Sequence, residues 1–156
     1  MLEYSGSYSI KTLKNLNLAS NCINGSFPAQ GFESLSRLEN LETLDLSDNY
    51  FDIRIIESLS AVKTLKNLNL AGNRINGSFP AQGFESLSRL ENLETLDLSD
   101  NYFDIRIIES LSAVKTLKNL NLAGNSINGS FPAQGFESLS RLENLETLDL
   151  STTIST

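Results

Sequence analysis

Histidine and tryptophan are absent from this sequence of 156 residues, and cysteine, methionine and proline are scarce. The lack of histidine excludes histidine-based catalytic triads and most zinc sites. Cys22 is the single cysteine, so no disulfide can form within the chain. A catalytic thiol needs a neighbouring activating base, and the chain has no histidine to act as one. We therefore predict no enzymatic activity, no catalytic residue and no cofactor.

Basic residues are also few, with 12 Lys and Arg against 19 Asp and Glu. The resulting net charge of −7 argues against nucleic acid and anionic membranes as partners. No apolar run approaches the length of about 18 residues that a membrane-spanning helix needs. Hydrophobic residues nevertheless make up 40% of the chain, which is enough for a folded domain with its own core.

The chain is built from an internal repeat of 52 residues. Residues 64–115 copy residues 12–63 with two changes, at Gly72 and Arg74, and the third copy adds one change at Ser126. Each unit holds two shorter repeats with the pattern L-x-x-L-x-L-x-x-N-x-apolar, where x is any residue. Six such repeats begin near residues 13, 41, 65, 93, 117 and 145. We predict one domain over residues 1–156, with divergent end segments at 1–11 and 152–156.

The shorter repeat has a direct structural interpretation. Alternation such as Leu68-Asn69-Leu70 predicts a short strand whose leucines face inward. A single coil cannot enclose a core, so neighbouring coils stack and bury their leucines together. Apolar residues three apart, such as Ile108 and Leu111, predict short α or 3₁₀ turns on the other side. The predicted fold is of the α/β class: a leucine-rich repeat solenoid with a parallel β-sheet on its concave face and helical turns on its convex face.

An asparagine follows five of the six predicted strands. Its amide can satisfy backbone groups that the bend after a strand leaves unpaired. The spacing therefore predicts a structural asparagine ladder along the stack, formed by Asn21, Asn49, Asn73, Asn101 and Asn125.

The stretch Asn73-Arg-Ile-Asn-Gly-Ser-Phe-Pro80 resembles the N-x-L-x-G-x-I-P segment of plant-type leucine-rich repeats. The alternating long and short repeats are similar to the extracellular domains of plant receptor-like proteins. This resemblance implies a horseshoe or superhelix whose concave face binds a protein or peptide ligand without catalysing a reaction. Arrays of that family drift between repeats and end in cysteine-paired caps, both of which are missing here. We therefore expect a designed array; a recent natural duplication is the alternative.

Small polar side chains alternate with the inward leucines of every predicted strand. None is Trp, Tyr or Arg, the residue types that anchor tight interfaces. The predicted concave binding face consists of Asn15, Asn17, Thr43, Asp45, Asn67, Asn69, Thr95, Asp97, Asn119, Asn121, Thr147 and Asp149. We expect any protein or peptide partner to bind there, although the sequence does not identify it.

Charged and polar residues elsewhere have simpler interpretations. Neighbouring strands place opposite charges side by side, which predicts a ladder of surface ion pairs along Lys14, Glu42, Lys66, Glu94, Lys118 and Glu146. The aspartates of the predicted face lie on alternate strands about 10 Å apart, too far to share a metal ion. No metal site is therefore predicted. N-glycosylation sequons occur at Asn24, Asn76 and Asn128, where glycans are expected only if the protein is secreted.

Three hypotheses for the function remain open. The first is a non-enzymatic designed scaffold for protein–protein interaction. The second is a self-assembling building block that forms homo-oligomers through the solenoid ends or sheet edges. The third is a fragment of a plant cell-surface receptor ectodomain that binds a peptide. No signal peptide is apparent in the sequence, and the cellular location is not predicted.

Overall fold

A computed structural model of the chain describes residues 10–24, 34–76, 86–127 and 133–151. Adjacent strands pair without offset, so that Leu16 lies beside Leu44 and Leu44 beside Leu68. This arrangement confirms the predicted solenoid with a parallel sheet. The six strands follow the order of the chain: β1 (Asn15–Asn17), β2 (Thr43–Asp45), β3 (Asn67–Asn69), β4 (Thr95–Asp97), β5 (Asn119–Asn121) and β6 (Thr147–Asp149).

Short helices connect the strands in the described coils, as the apolar spacing predicts. They are α1 (Arg54–Leu59), a 3₁₀ helix (Ser86–Arg89), α2 (Arg106–Leu111) and α3 (Ala133–Ser140). Helix α1 packs against the 3₁₀ helix, and α2 packs against α3. Ile108 and Leu111 of α2 are fully buried because their spacing of three places both on the side that faces the core.

The core is a continuous set of apolar side chains running along the stack of coils. The inward leucines of the four interior strands, Leu44, Leu68, Leu96 and Leu120, are at most 2% exposed. The equivalent side chains of β1 and β6, Leu16 and Leu148, are only partly buried. Among the described residues, these two strands each have one neighbouring coil instead of two. Of the predicted divergent end segments, only residues 10 and 11 lie among the described residues.

A residue with left-handed backbone conformation precedes the asparagine after each of the first five strands, at Ser20, Asp48, Gly72, Asp100 and Gly124. Gly72 and Gly124 adopt this conformation with φ of 62° and 68°, and a Cβ on Gly72 would overlap the Asp48 carboxylate of the preceding coil. Ser20 adopts the same conformation in the first copy, with φ of 58°. Among the described residues, no coil precedes Ser20 to make the contact that Asp48 makes beside Gly72. The serine-to-glycine difference between otherwise matching repeats thus has a structural reason.

Replacing Gly72 by alanine is expected to lower the free energy of unfolding by about 1–2 kcal/mol, since a Cβ disfavours the left-handed conformation. Displacement of the Asp48 side chain adds to this loss. Urea unfolding monitored by circular dichroism measures the change. The matched control, Ser20→Gly, keeps the turn and is expected to cause no loss. Equal stability of Gly72→Ala and the parent chain would contradict the steric explanation.

Candidate binding face of the sheet

The outward side chains of the six strands form a continuous surface, which we call the polar sheet face. Alternate residues of a strand point to the same side, and the zero-offset pairing aligns them between strands. The result is two parallel rows. The first row is Asn15, Thr43, Asn67, Thr95, Asn119 and Thr147, and the second row is Asn17, Asp45, Asn69, Asp97, Asn121 and Asp149.

A shallow hollow of about 360 Å³ lies over the last three strands of this face. Thr95 and Asp97 of β4, Asn119 of β5, and Thr147 and Asp149 of β6 are among its lining residues. The lining combines amide, hydroxyl and carboxylate groups with atoms of Leu96, Leu120 and Leu148. The hollow can therefore meet both hydrogen-bonding and apolar groups of a ligand.

Hydrogen bonds between neighbouring strands hold the polar side chains in place. Asn121 donates from Nδ2 to Asp97 Oδ2 at 3.0 Å, and Thr147 donates to Asn119 Oδ1 at 2.5 Å. Asn119 in turn donates from Nδ2 to Thr95 Oγ1 at 3.4 Å. Because these contacts exist before any ligand binds, the face is preorganised and less side-chain entropy is lost on binding.

The second row also bonds to its own backbone. Asp97 Oδ1 accepts from the Ser99 N–H at 2.9 Å and from the Ser99 hydroxyl at 2.6 Å. Asp149 Oδ1 accepts from the Ser151 N–H at 2.8 Å. This backbone hydrogen bond, with a smaller contribution from the Ser151 side chain, holds the pKa of the Asp149 carboxyl below its ordinary value. The carboxylate is therefore ionised at neutral pH.

The lysines beside the polar sheet face are engaged in the predicted surface ion pairs. Lys66 Nζ lies 3.2 Å and Lys14 Nζ lies 3.7 Å from Glu42 carboxylate oxygens, and Lys118 Nζ lies 3.1 Å from Glu94. The hydrogen bond from Lys66, followed by the charges of both lysines, lowers the pKa of Glu42. Since these lysine charges are matched by glutamates, the aspartates of the second row give the face its net negative charge.

The asparagines after the strands tie each coil to the one before it. Asn101 donates from Nδ2 to the carbonyls of Leu98 and Ser99 in its own coil, at 3.2 and 2.9 Å. It also donates to the Leu70 carbonyl of the preceding coil at 3.0 Å, and its Oδ1 accepts from the Ile75 N–H at 3.0 Å. The amide thus satisfies backbone groups on both sides of the junction. Equivalent contacts to the preceding coil occur at Asn49, Asn73 and Asn125.

Asn21 differs from the other four asparagines. Its Nδ2 donates to the carbonyls of Leu18 and Ala19, both in its own coil, at 3.0 and 2.9 Å. The side chain is exposed, whereas Asn101 is 4% exposed. The contacts of Asn21 among the described residues therefore lack the bond to a preceding coil that the interior asparagines make.

An aromatic and cationic column lies directly after the asparagines and was not singled out from the sequence. Tyr50 and Tyr102 are 45% and 62% exposed, and the guanidinium of Arg74 lies 4.5 Å from the centre of the Tyr50 ring. In the third copy of the repeat, Ser126 occupies the position that Arg74 holds in the second copy. Tyrosine and arginine are frequent anchors of interfaces. The signal in the sequence was that the three copies carry Cys22, Arg74 and Ser126 at one position and are otherwise nearly invariant.

The other predicted sites are surface positions. Asn24 and Asn76 are exposed and form isolated bridges to Tyr50 and Tyr102, whereas Asn128 lies outside the described residues. Cys22 is exposed and has a free thiol. Within the described ranges, no three Cys, Asp or Glu side chains lie close enough to hold a metal ion. In those same parts of the chain, no helix has the length and apolarity required to cross a membrane.

Comparisons with known proteins bear on this geometry. A family model described as Leucine Rich Repeat matches residues 40–61, 64–87, 92–113 and 116–139, more than half of the chain. Receptor-like protein 13 of Arabidopsis thaliana is 37% identical over 135 residues, which cover 70% of this chain and 13% of that protein. The chain therefore spans only a small part of this relative.

Solved structures show the same architecture. Internalin C2 of Listeria monocytogenes superposes with a TM-score of 0.66 and 26% identity, over 90% of this chain and 53% of that one. The plant peptide hormone receptor RGFR1, solved in complex with RGF2, superposes with a TM-score of 0.57 and 25% identity, over 90% of this chain and 24% of that one. With its repeat pattern, stacked coils and family match, the chain belongs to the leucine-rich repeat family.

Proposed function

We propose that this chain is a non-enzymatic recognition scaffold that binds a protein or an extended peptide on its polar sheet face. The observation that carries the proposal is the pair of aligned rows of donors and acceptors, held in place by hydrogen bonds between strands. The relation to a peptide hormone receptor solved with its ligand supports the same function. The unbroken length of the rows favours an extended ligand that meets several strands at once.

The charge of the face favours a cationic partner. Asp45, Asp97 and Asp149 lie in one row, and the neighbouring lysines are already matched by glutamates. The chain as a whole carries a net charge of −7, which attracts basic segments at long range. A partner that extends past the strand ends would meet the ring of Tyr102, which is 62% exposed. We therefore propose a lysine- or arginine-containing peptide segment as the ligand class.

Two origins are compatible with this function. The near-identity of the 52-residue units supports a designed array, since only two positions change between the first and second copies. The relation to Receptor-like protein 13 supports a segment of a plant receptor ectodomain instead. In the second case the protein would act outside the cell and the sequons at Asn24 and Asn76 could carry glycans.

Selection from a displayed library of random twelve-residue peptides tests this proposal. Peptides rich in Lys and Arg are expected, and the double substitution Asn69→Ala with Asp97→Ala should weaken the selected peptide at least tenfold, or about 1.4 kcal/mol. Glu109→Gln removes the same charge from α2, away from the face, and should leave the affinity unchanged. Unchanged affinity in the double variant would place the interface elsewhere, and the absence of any selected peptide would contradict the proposed ligand class.

A further inference from the structure

We infer that a second copy of this chain docks end to end, with its first coil stacking on the last coil of the first copy. The surfaces concerned are the first-coil end, formed by Ile10, Leu13, Leu16 and Leu18, and the last-coil end, formed by Leu145, Leu148 and Leu150. This inference is independent of the polar sheet face. It specifies the partner as a second copy of the chain, the direction of stacking as head to tail, and the register in which the strands pair.

Apolar side chains that interior coils bury completely are incompletely covered at both ends. Ile10 occupies the place in the repeat held by Val62 and Val114 in later copies. Those valines are each 1% exposed, whereas Ile10 is 63% exposed. Leu16 and Leu148 are likewise only partly buried, unlike their counterparts in β2 to β5. Covering these groups with a coil of the same shape would remove apolar surface from water.

The two ends are complementary because the chain already contains their junction twice. A short repeat followed by a long one occurs at β2–β3 and at β4–β5, where a Thr-Leu-Asp strand pairs with an Asn-Leu-Asn strand. Strand β6 is Thr-Leu-Asp and β1 is Asn-Leu-Asn. Placing β1 of a second copy beside β6 therefore repeats the strand pairing of the internal junction with the same strand residues. The register is Thr147 beside Asn15, Leu148 beside Leu16 and Asp149 beside Asn17.

Charges match at the same junction. Inside the chain, Lys66 Nζ lies 3.2 Å from Glu42 and Lys118 Nζ lies 3.1 Å from Glu94, across β2–β3 and β4–β5 respectively. Glu146 and Lys14 hold the corresponding positions at the two ends, and both are exposed. A second copy in the repeated register would bring this glutamate and this lysine together.

The asparagine ladder would also continue across the junction. Asn73 donates to the Leu46 carbonyl and Asn125 to the Leu98 carbonyl of the preceding coil, at 3.1 and 2.9 Å. Asn21 is exposed, and its Nδ2 hydrogen bonds among the described residues reach only its own coil. In the docked arrangement Asn21 of the second copy would donate to the Leu150 carbonyl. Apolar cover, charge and hydrogen bonding thus all favour the same register.

Heterologous contacts of this kind propagate unless the geometry closes, so the expected product is a short chain of copies rather than a symmetric dimer. Light scattering after gel filtration, with reductant present to prevent disulfides through Cys22, should show a mass that rises with concentration from 17.2 kDa through its multiples. A constant 17.2 kDa at every concentration would overturn the inference.

Variants with altered surface charge test the head-to-tail direction of docking without disturbing the core. Glu146→Lys alone places two lysines at the junction, and Lys14→Glu alone places two glutamates there, so each should weaken association at low salt about fivefold. An equimolar mixture of the two variants restores opposite charges at both mixed junctions, because the last coil of each variant then meets a first coil of opposite charge on the other. The mixture should therefore form alternating multiples more strongly than either variant alone. The control Glu109→Lys changes the charge equally on α2 and should associate like the parent.

A second pair of variants blocks the apolar surfaces themselves. Leu16→Lys and Leu148→Lys each leave only one of the two docking ends intact, so each variant alone should remain a monomer of 17.2 kDa. Their mixture should form a one-to-one dimer through the two unmodified ends. If either variant alone still dimerises, or if the mixture remains monomeric, the proposed head-to-tail docking is wrong.

Discussion

Replacing Asn101 by alanine is expected to lower the free energy of unfolding by about 3 kcal/mol, taking about 1 kcal/mol for each of the two protons that Nδ2 donates and for the one bond that Oδ1 accepts. The substitution removes three donor contacts, to the carbonyls of Leu70, Leu98 and Ser99, and the acceptor for the Ile75 N–H. The side chain is 4% exposed, so water cannot readily replace these partners. Urea unfolding followed by circular dichroism gives the total change.

The matched control for this substitution is Asn21→Ala in the first coil. Asn21 donates to Leu18 and Ala19 from an exposed position, and water can take over those contacts. We expect a loss below about 1 kcal/mol, measured at a concentration where the protein is monomeric. Similar losses at Asn101 and Asn21 would mean that the contact between coils contributes little to stability.

Replacing Leu68 by alanine is expected to lower the free energy of unfolding by about 3 kcal/mol, within the range of 2–5 kcal/mol for such truncations in a core. Leu68 is 1% exposed and lies between Leu44 and Leu96 in the paired strands. Coils above and below hold the cavity open, so the site cannot collapse easily. Denaturant unfolding measures the loss, and amide exchange shows whether it is confined to neighbouring coils.

Leu16→Ala is the matched control, since Leu16 and Leu68 share the local sequence Lys-Asn-Leu-Asn-Leu. Strand propensity and side-chain chemistry are the same at both sites. Leu16 is only partly buried, so we expect a loss below about 1.5 kcal/mol, concentrated in faster exchange of the first coil. Measured at a concentration where the protein is monomeric, a loss at Leu16 as large as that at Leu68 would mean that cover by a second neighbouring coil contributes little to the stability of the core.

The polar sheet face could be assigned to named residues from the sequence, because strand alternation leaves only one side for Asn69 and Asp97. The sequence did not show which of those side chains would form hydrogen bonds with one another. The 3.0 Å contact of Asn121 with Asp97 depends on the zero offset between strands, which is a property of the stacked coils. The exposed ring of Tyr102 also went unrecognised, because a residue after the strand can point either toward or away from the core.

By itself, the sequence determined the coil, the inward leucines and the residues that follow each strand, since a period of 52 residues with two leucine patterns admits few other arrangements. Only the tertiary structure decided which of several identical copies is buried. Leu16 and Leu68, or Asn21 and Asn73, have the same local pattern but different surroundings. The physical reason is that burial and hydrogen bonding in a solenoid come from the neighbouring coil. Identical residues therefore contribute different amounts to the free energy of unfolding, according to their place in the stack.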